Sequence, residues 1–156
     1  SVLNDKNNVE TKFYNYRKPT CSSFYRPNFD HLKNFLDKER FEIISEDIFN
    51  SKTLDSEITK FKQPNFIKID TEGAEYSVLK GANKTIETHK PKYILLEFNR
   101  MNVNSRVFLA DFIALLKNYS AYRILPRGEL LQINQTSAPW RHEIFAYQNI
   151  VFILND

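Results

Sequence analysis

Polar and apolar positions alternate with period two from Val9 to Tyr16: Val9, Thr11, Phe13 and Asn15 fall on one side, Glu10, Lys12, Tyr14 and Tyr16 on the other. That period predicts a strand. Phe29, Leu32, Phe35 and Leu36 then recur at helical spacing, which predicts a short helix over Asp30–Lys38. Phe41–Ile44 reads as a strand, and Thr53-Leu54-Asp55 with Ile58 and Phe61 as a second short helix. The most regular stretch follows: a strand over Asn65–Asp70, then a helix closing at Lys80-Gly81. Thr71 suits its N-cap, Glu72 and Glu75 suit its positive start, and Gly81 suits the position just past its end. Tyr93-Ile94-Leu95-Leu96 is continuously apolar, as in parallel strands covered on both faces. Val107–Leu116 is an amphipathic helix, and Tyr122–Leu125, Leu130–Ile133 and Ile150–Leu154 are strands, the first two joined by a turn at Pro126–Glu129. This succession predicts one α/β domain over 1–156, with a partly antiparallel sheet at the C-terminal end.

Composition narrows the chemistry. Only Gly73, Gly81 and Gly128 are glycines, about 2% of the chain against a usual ~7%. No two lie close together, so these residues hold neither a dinucleotide fingerprint nor a phosphate-cradling loop. A lone Cys21 forms no internal disulfide, and with no secretion signal the expected location is cytoplasmic. The runs Phe112–Leu116 and Ile150–Leu154 fall far short of the ~20 residues of a membrane span. A net charge of +3 is spread along the chain rather than striped, so no nucleic-acid partner is expected. Asn-Xaa-Ser/Thr at Asn83, Asn118 and Asn134 carries no expectation of glycosylation without secretion.

Two acidic residues stand at the carboxyl ends of predicted parallel strands, where open α/β sheets bind ligands: Asp70 after Phe66–Ile69 and Glu97 after Tyr93–Leu96. Neighbouring strands would bring both into one crevice. The plain structural readings are a helix cap for Asp70 and a solvated strand end for Glu97. Glu72 has two readings, pointing into the crevice or favouring the helix start, whereas Glu75 reads as a first-turn carboxylate. His142, His31 and His89 lack a partnered nucleophile and read as surface or packing residues. Cys21 reads as a packed loop thiol.

The run from Phe66 through Lys68-Ile69-Asp70-Thr71-Glu72-Gly73-Ala74-Glu75 to Leu79-Lys80-Gly81-Ala82 resembles the signature segment of the FkbM-type methyltransferases. These are S-adenosylmethionine-dependent enzymes on the class I, Rossmann-like methyltransferase fold. Lys52-Thr53-Leu54-Asp55, Pro91–Phe98, Val2-Leu3-Asn4-Asp5, Gln148–Phe152 and the pair Ser22-Ser23 resemble flanking family segments more loosely. The family's glycine-rich turn and the acidic residue after its second strand have no counterpart here. The resemblance therefore implies a partial Rossmann-like sheet whose first βαβ unit is missing, and a chain that by itself binds the methyl donor poorly.

What the resemblance implies functionally is O-methylation of a sugar, glycolipid or metabolite hydroxyl. Asp70, Glu72 and Glu97 are the catalytic candidates, Asp5 and Asp70 the cofactor contacts, and Ser22 and Ser23 the acceptor contacts. A carboxylate at a helix start has its charged form stabilised, which favours Asp70 as a residue that orients the hydroxyl or holds a cation, with Glu97 as the alternative base. A divalent metal on Asp70, Glu72 and Glu97 is chemically open but not required. Two other readings stand beside this one: a truncated or degenerate homologue acting as a non-catalytic binding module, and a metal-dependent α/β enzyme.

Overall fold

Strand β1 (Glu10–Tyr16) pairs antiparallel with β2 (Ile43–Asn50), with the register Glu10↔Asn50 to Tyr16↔Ile43 and an irregularity at Asn15/Tyr16. This is a computed structural model; it describes residues 2–33, 36–60, 62–133 and 139–156. The two strands form a sheet of their own. Between them lie a 3-10 turn at Pro19–Cys21, the one-turn helix α1 (Phe29–Leu32) and a second 3-10 turn at Lys38–Phe41. The helix predicted over Asp30–Lys38 is thus a single turn where it is described, and Phe35 lies outside the described residues. Tyr16, Leu32 and Phe41 make a small core beneath this two-stranded unit. Because almost all of β2 is exposed, its apolar residues obey no period, and the strand starts later and runs longer than Phe41–Ile44 implies.

The main sheet has the order β3-β4-β7-β5-β6. Strand β3 (Phe66–Ile69) and β4 (Tyr93–Phe98) are parallel, in the register Phe66↔Tyr93 to Ile69↔Leu96. Strand β7 (Gln148–Leu154) runs antiparallel between β4 and β5 (Tyr119–Ile124), and β6 (Leu130–Gln132) closes the edge as the predicted hairpin with β5. The parallel pair and the antiparallel C-terminal end are those predicted, and the class is α/β. Alternate residues of β4 are wholly buried, and Ile94, Leu96, Phe98, Ile150 and Phe152 form the core with Leu79 and Phe112 of the covering helices.

Helix α2 (Leu54–Glu57), N-capped by Thr53 accepting from Ser56 N–H at 3.2 Å, continues as a 3-10 turn at Ile58–Lys60, and Phe61 lies outside the described residues. Two helices fill the crossover between β3 and β4: α3 (Glu75–Lys80) and α4 (Asn83–His89). Helix α3 starts later than predicted, with Ala74 rather than Thr71 at its N-cap, because the four residues after β3 form a separate turn. Gly81 is right-handed, with φ −74°, so the left-handed helix-end role predicted for it does not hold. Its hydrogen is needed for a different reason: a Cβ there would lie 2.1 Å from the Asn4 carbonyl oxygen. The N-terminal segment lies against this point, held by Asn4 N–H donating to Lys52 O at 2.8 Å.

Helices α4 and α5 (Met101–Ser105) were not signalled by the sequence. The start of α4 is capped from afar, by the Asp55 carboxylate accepting from Lys84 and Thr85 N–H at 3.1 and 2.7 Å. Helix α6 (Leu109–Leu115) is capped likewise by Glu143, which accepts from Leu109 and Ala110 N–H at 2.8 and 2.9 Å. None of the described helices is long and apolar enough to cross a membrane.

Candidate active site

Residue 70 leaves β3 and residue 97 is in β4 beside it, since the parallel register pairs Ile69 with Leu96. Their carboxylates open into one cleft of about 610 Å³ at the carboxyl ends of the two strands, and Glu72 lines it with them. Sequence reasoning placed these three residues together, and the register is why they meet. The two serines and Asp5 are placed elsewhere.

The turn after β3 is held in an uncommon conformation. Glu72 has φ 51° and Gly73 φ 107°, left-handed values that a non-glycine residue adopts only when its surroundings fix them. The Glu75 carboxylate does so. It accepts from Thr71 N–H at 2.9 Å, from Thr71 Oγ1 at 3.2 Å and from Gly73 N–H at 3.0 Å. Glu75 is 1% exposed; burial pushes its carboxyl up, and these hydrogen bonds oppose the shift. Gly73 has little room for a side chain, because a Cβ would meet Met101 Cβ at 3.2 Å.

From outside, Ser23 fixes the same turn. Its buried hydroxyl donates to the Glu72 carbonyl oxygen at 2.9 Å and accepts from Tyr25 N–H at 3.2 Å. Ser22 Oγ accepts from Tyr16 N–H at 3.1 Å. Both predicted acceptor contacts are thus hydrogen-bonded to backbone, and neither lines the cleft. Asp5, predicted to contact the cofactor, pairs instead with Lys80 at 3.3 Å and lies outside the cleft lining.

The Glu72 carboxyl faces the cleft from a half-buried position. Burial, helped by Glu97, Asp70 and Glu75, raises it from 4.5 to about 7, while Arg100 opposes the rise. Asp70 is exposed and paired with Lys68 at 2.9 Å. Glu97 accepts from the Tyr147 hydroxyl at 2.8 Å and from Asn99 Nδ2 at 3.2 Å. That contact pushes the Tyr147 phenol up. Among the described residues no group of three or more His, Cys, Asp and Glu side chains could hold a metal ion; the three carboxylates share a cleft without converging.

Several lining residues escaped the sequence reading. Asn99 and Arg100 follow Phe98, the last residue of β4, and obey the same strand-end rule that singled out Glu97. Lys18 and Arg40 come from the two-stranded unit, and no local pattern marks them. Cys21 also lines the cleft.

Chemically, the arrangement offers a carboxylate that exchanges its proton near neutral pH, flanked by two further carboxylates, in a cleft wide enough for a sugar-sized molecule. A family model described as the methyltransferase FkbM domain matches residues 3–124. No curated protein and no solved structure matches the chain.

Proposed function

The chain belongs to the FkbM methyltransferase family, and we propose that within it this protein methylates a hydroxyl oxygen, with Glu72 as the general base. The observation that carries the proposal is the Glu72 carboxyl, facing the strand-end cleft and raised to about 7. A base works best when it titrates near the working pH, and such a base adds roughly 10²–10⁴-fold to a proton transfer. Sequence reasoning gave Glu97 as the alternative base; the role proposed here falls to Glu72. Glu97, held by Tyr147 and Asn99, is better suited to orienting the acceptor.

The sheet supports the same reading. An antiparallel β7 between β4 and β5, beside a parallel β3–β4 pair, is what the C-terminal part of a Rossmann-like class I methyltransferase sheet requires. The acceptor we assign is a hydroxyl of a sugar, glycolipid or related metabolite.

S-adenosylmethionine would supply a methyl group on a cationic sulfonium. The cleft fits that end of the molecule, because the Glu97 carboxylate, whose hydrogen-bond donors Tyr147 and Asn99 are neutral, favours a positive charge there. The nucleoside end has no such match among the described residues. Gly73 and Gly81 abut Met101 and Asn4, and Gly128 turns the β5–β6 hairpin, so no glycine is left to admit a ligand's close approach. Glu72 then takes the hydroxyl proton onto a carboxylate oxygen as the acceptor oxygen becomes nucleophilic. Positioning that oxygen about 3–3.5 Å from the carbon it attacks is the larger catalytic term, and falls to Glu97, Asn99 and the cleft walls.

The test is transfer of labelled methyl from S-adenosylmethionine to a panel of glycosides, glycolipids and polyols by the natural protein, with products identified by mass and NMR. The expected product is a methyl ether, and Glu72→Gln should lower kcat by about 10²–10⁴-fold. Label found on nitrogen or carbon would overturn the oxygen reading. An unchanged kcat in Glu72→Gln would remove Glu72 from the base role.

A further inference from the structure

The cleft that holds Asp70, Glu72 and Glu97 has a second wall of opposite sign, formed by Lys18, Arg40 and Arg100. We infer that the acceptor bears an oxyanion, a carboxylate or a phosphate, which this wall binds while the hydroxyl to be methylated faces Glu72. The inference rests on the oxygen-methylation reading of the same cleft and names its substrate class.

The charges that line the cleft come from two parts of the fold. The carboxylates and Arg100 belong to the main sheet and to the segments that leave its strands. Lys18 and Arg40 belong to the two-stranded unit, where Lys18 N–H donates to Arg40 O at 3.1 Å and so fixes the two residues side by side. Arg40 and Arg100 are both held against Phe41, their guanidinium carbons 5.1 and 5.5 Å from the centre of its ring. Phe41 is 5% exposed and belongs to the small core.

Arginine also suits an oxyanion better than lysine does, because its planar fork matches carboxylate and phosphate oxygens. Arg40 keeps donors for this use. One terminal nitrogen pairs with Asp37 at 2.9 Å, and the side chain as a whole is 27% exposed and lines the cleft. A neutral polyol offers the cations only uncharged acceptors, whereas a hydroxy acid or a sugar phosphate offers them an anion as well as presenting a hydroxyl to Glu72.

The experiment is calorimetric binding of D-glucuronate, D-glucose 6-phosphate and D-glucose to the natural protein, with and without saturating S-adenosylhomocysteine. At least one anionic sugar should bind about 10–100-fold more tightly than glucose, the range expected of hydrogen bonds between charged groups. That preference should shrink with added salt and collapse in Lys18→Ala and Arg40→Gln. Lys18 is exposed, so its variant keeps the test informative should Arg40→Gln unfold. Equal binding of glucose, no binding of either anion, or a preference untouched by Lys18→Ala would overturn the inference. Displacement of the anionic sugar by S-adenosylhomocysteine would do so too, because the wall would then belong to the methyl donor. The two readings fail separately. Methylation of neutral glycosides alone sinks the anion site and spares oxygen methylation, whereas tight anion binding with no ether formed does the reverse.

Discussion

The Ser23 hydroxyl donates to the Glu72 carbonyl oxygen at 2.9 Å, joining residues 49 apart in the chain. Through this bond the two-stranded unit fixes the backbone of the residue to which we assign proton transfer. Ser23→Ala removes the bond and deprives Tyr25 N–H of its acceptor. The expected loss is about 1 kcal/mol of stability, the usual net worth of such a bond. A looser turn also admits water to Glu72, so the midpoint of the pH–rate profile should fall below its value in the unmodified protein. Chemical denaturation and the pH profile check the two effects separately.

Activity should rise with pH through about 7, because Glu72 serves as a base only when ionised and burial holds its carboxyl near that value. Stability should move the other way. With the folded carboxyl raised above its ordinary 4.5, the folded state retains a proton that the unfolded chain has released, so stability is lost between about pH 4.5 and 7. Glu72→Gln removes both effects. Its Tm relative to the unmodified protein should climb over that window and level off above it, and its residual activity should be flat there. Parallel Tm curves for the two proteins would show that Glu72 does not titrate in this range.

Glu75 accepts at least three hydrogen bonds from the turn with one buried carboxylate. In Glu75→Gln an NH₂ replaces one oxygen, and a donor then faces donors. The expected cost is about 1–3 kcal/mol, measured by urea unfolding, together with loss of methyl transfer as the Glu72–Gly73 conformation relaxes.

Gly81 and Gly128 differ in what a methyl group would meet. Gly81→Ala drives a Cβ to 2.1 Å from the Asn4 carbonyl, which is backbone and must itself move. Overpacking of this kind costs about 1–3 kcal/mol, and the N-terminal segment should become the first site of proteolysis. Gly128→Ala meets nothing within 4 Å, but its φ of +88° is left-handed, so only the conformational penalty of about 1–2 kcal/mol applies. Tm values of the two variants, with limited digestion, separate these causes.

Much of the main sheet was legible because its signals are local. Tyr93–Leu96 is apolar without interruption, and Asp70 and Glu97 follow their strands directly, so the period of the sequence located both carboxylates. Helix α4 was harder, since the Asp55 carboxylate that caps its start comes from about 30 residues away. The C-terminal signals of α4 and α5 were hidden as well. Lys90 and Arg106 end helices at φ 46° and 55° without the glycine that usually marks such a position.

By itself, the sequence determined the α/β class, the parallel pair β3–β4 and the signature turn, because period, cap chemistry and strand-end position are properties of neighbouring residues. Tertiary structure alone decided what that turn does. Burial and the fields of Glu97, Asp70 and Glu75 raise the Glu72 carboxyl to about 7. Contact across the fold placed Ser23 as a clamp on the Glu72 backbone, and brought Lys18 and Arg40 into the lining of the same cleft as the carboxylates. Desolvation and charge proximity depend on which distant segments pack together, and no local pattern of residues records them.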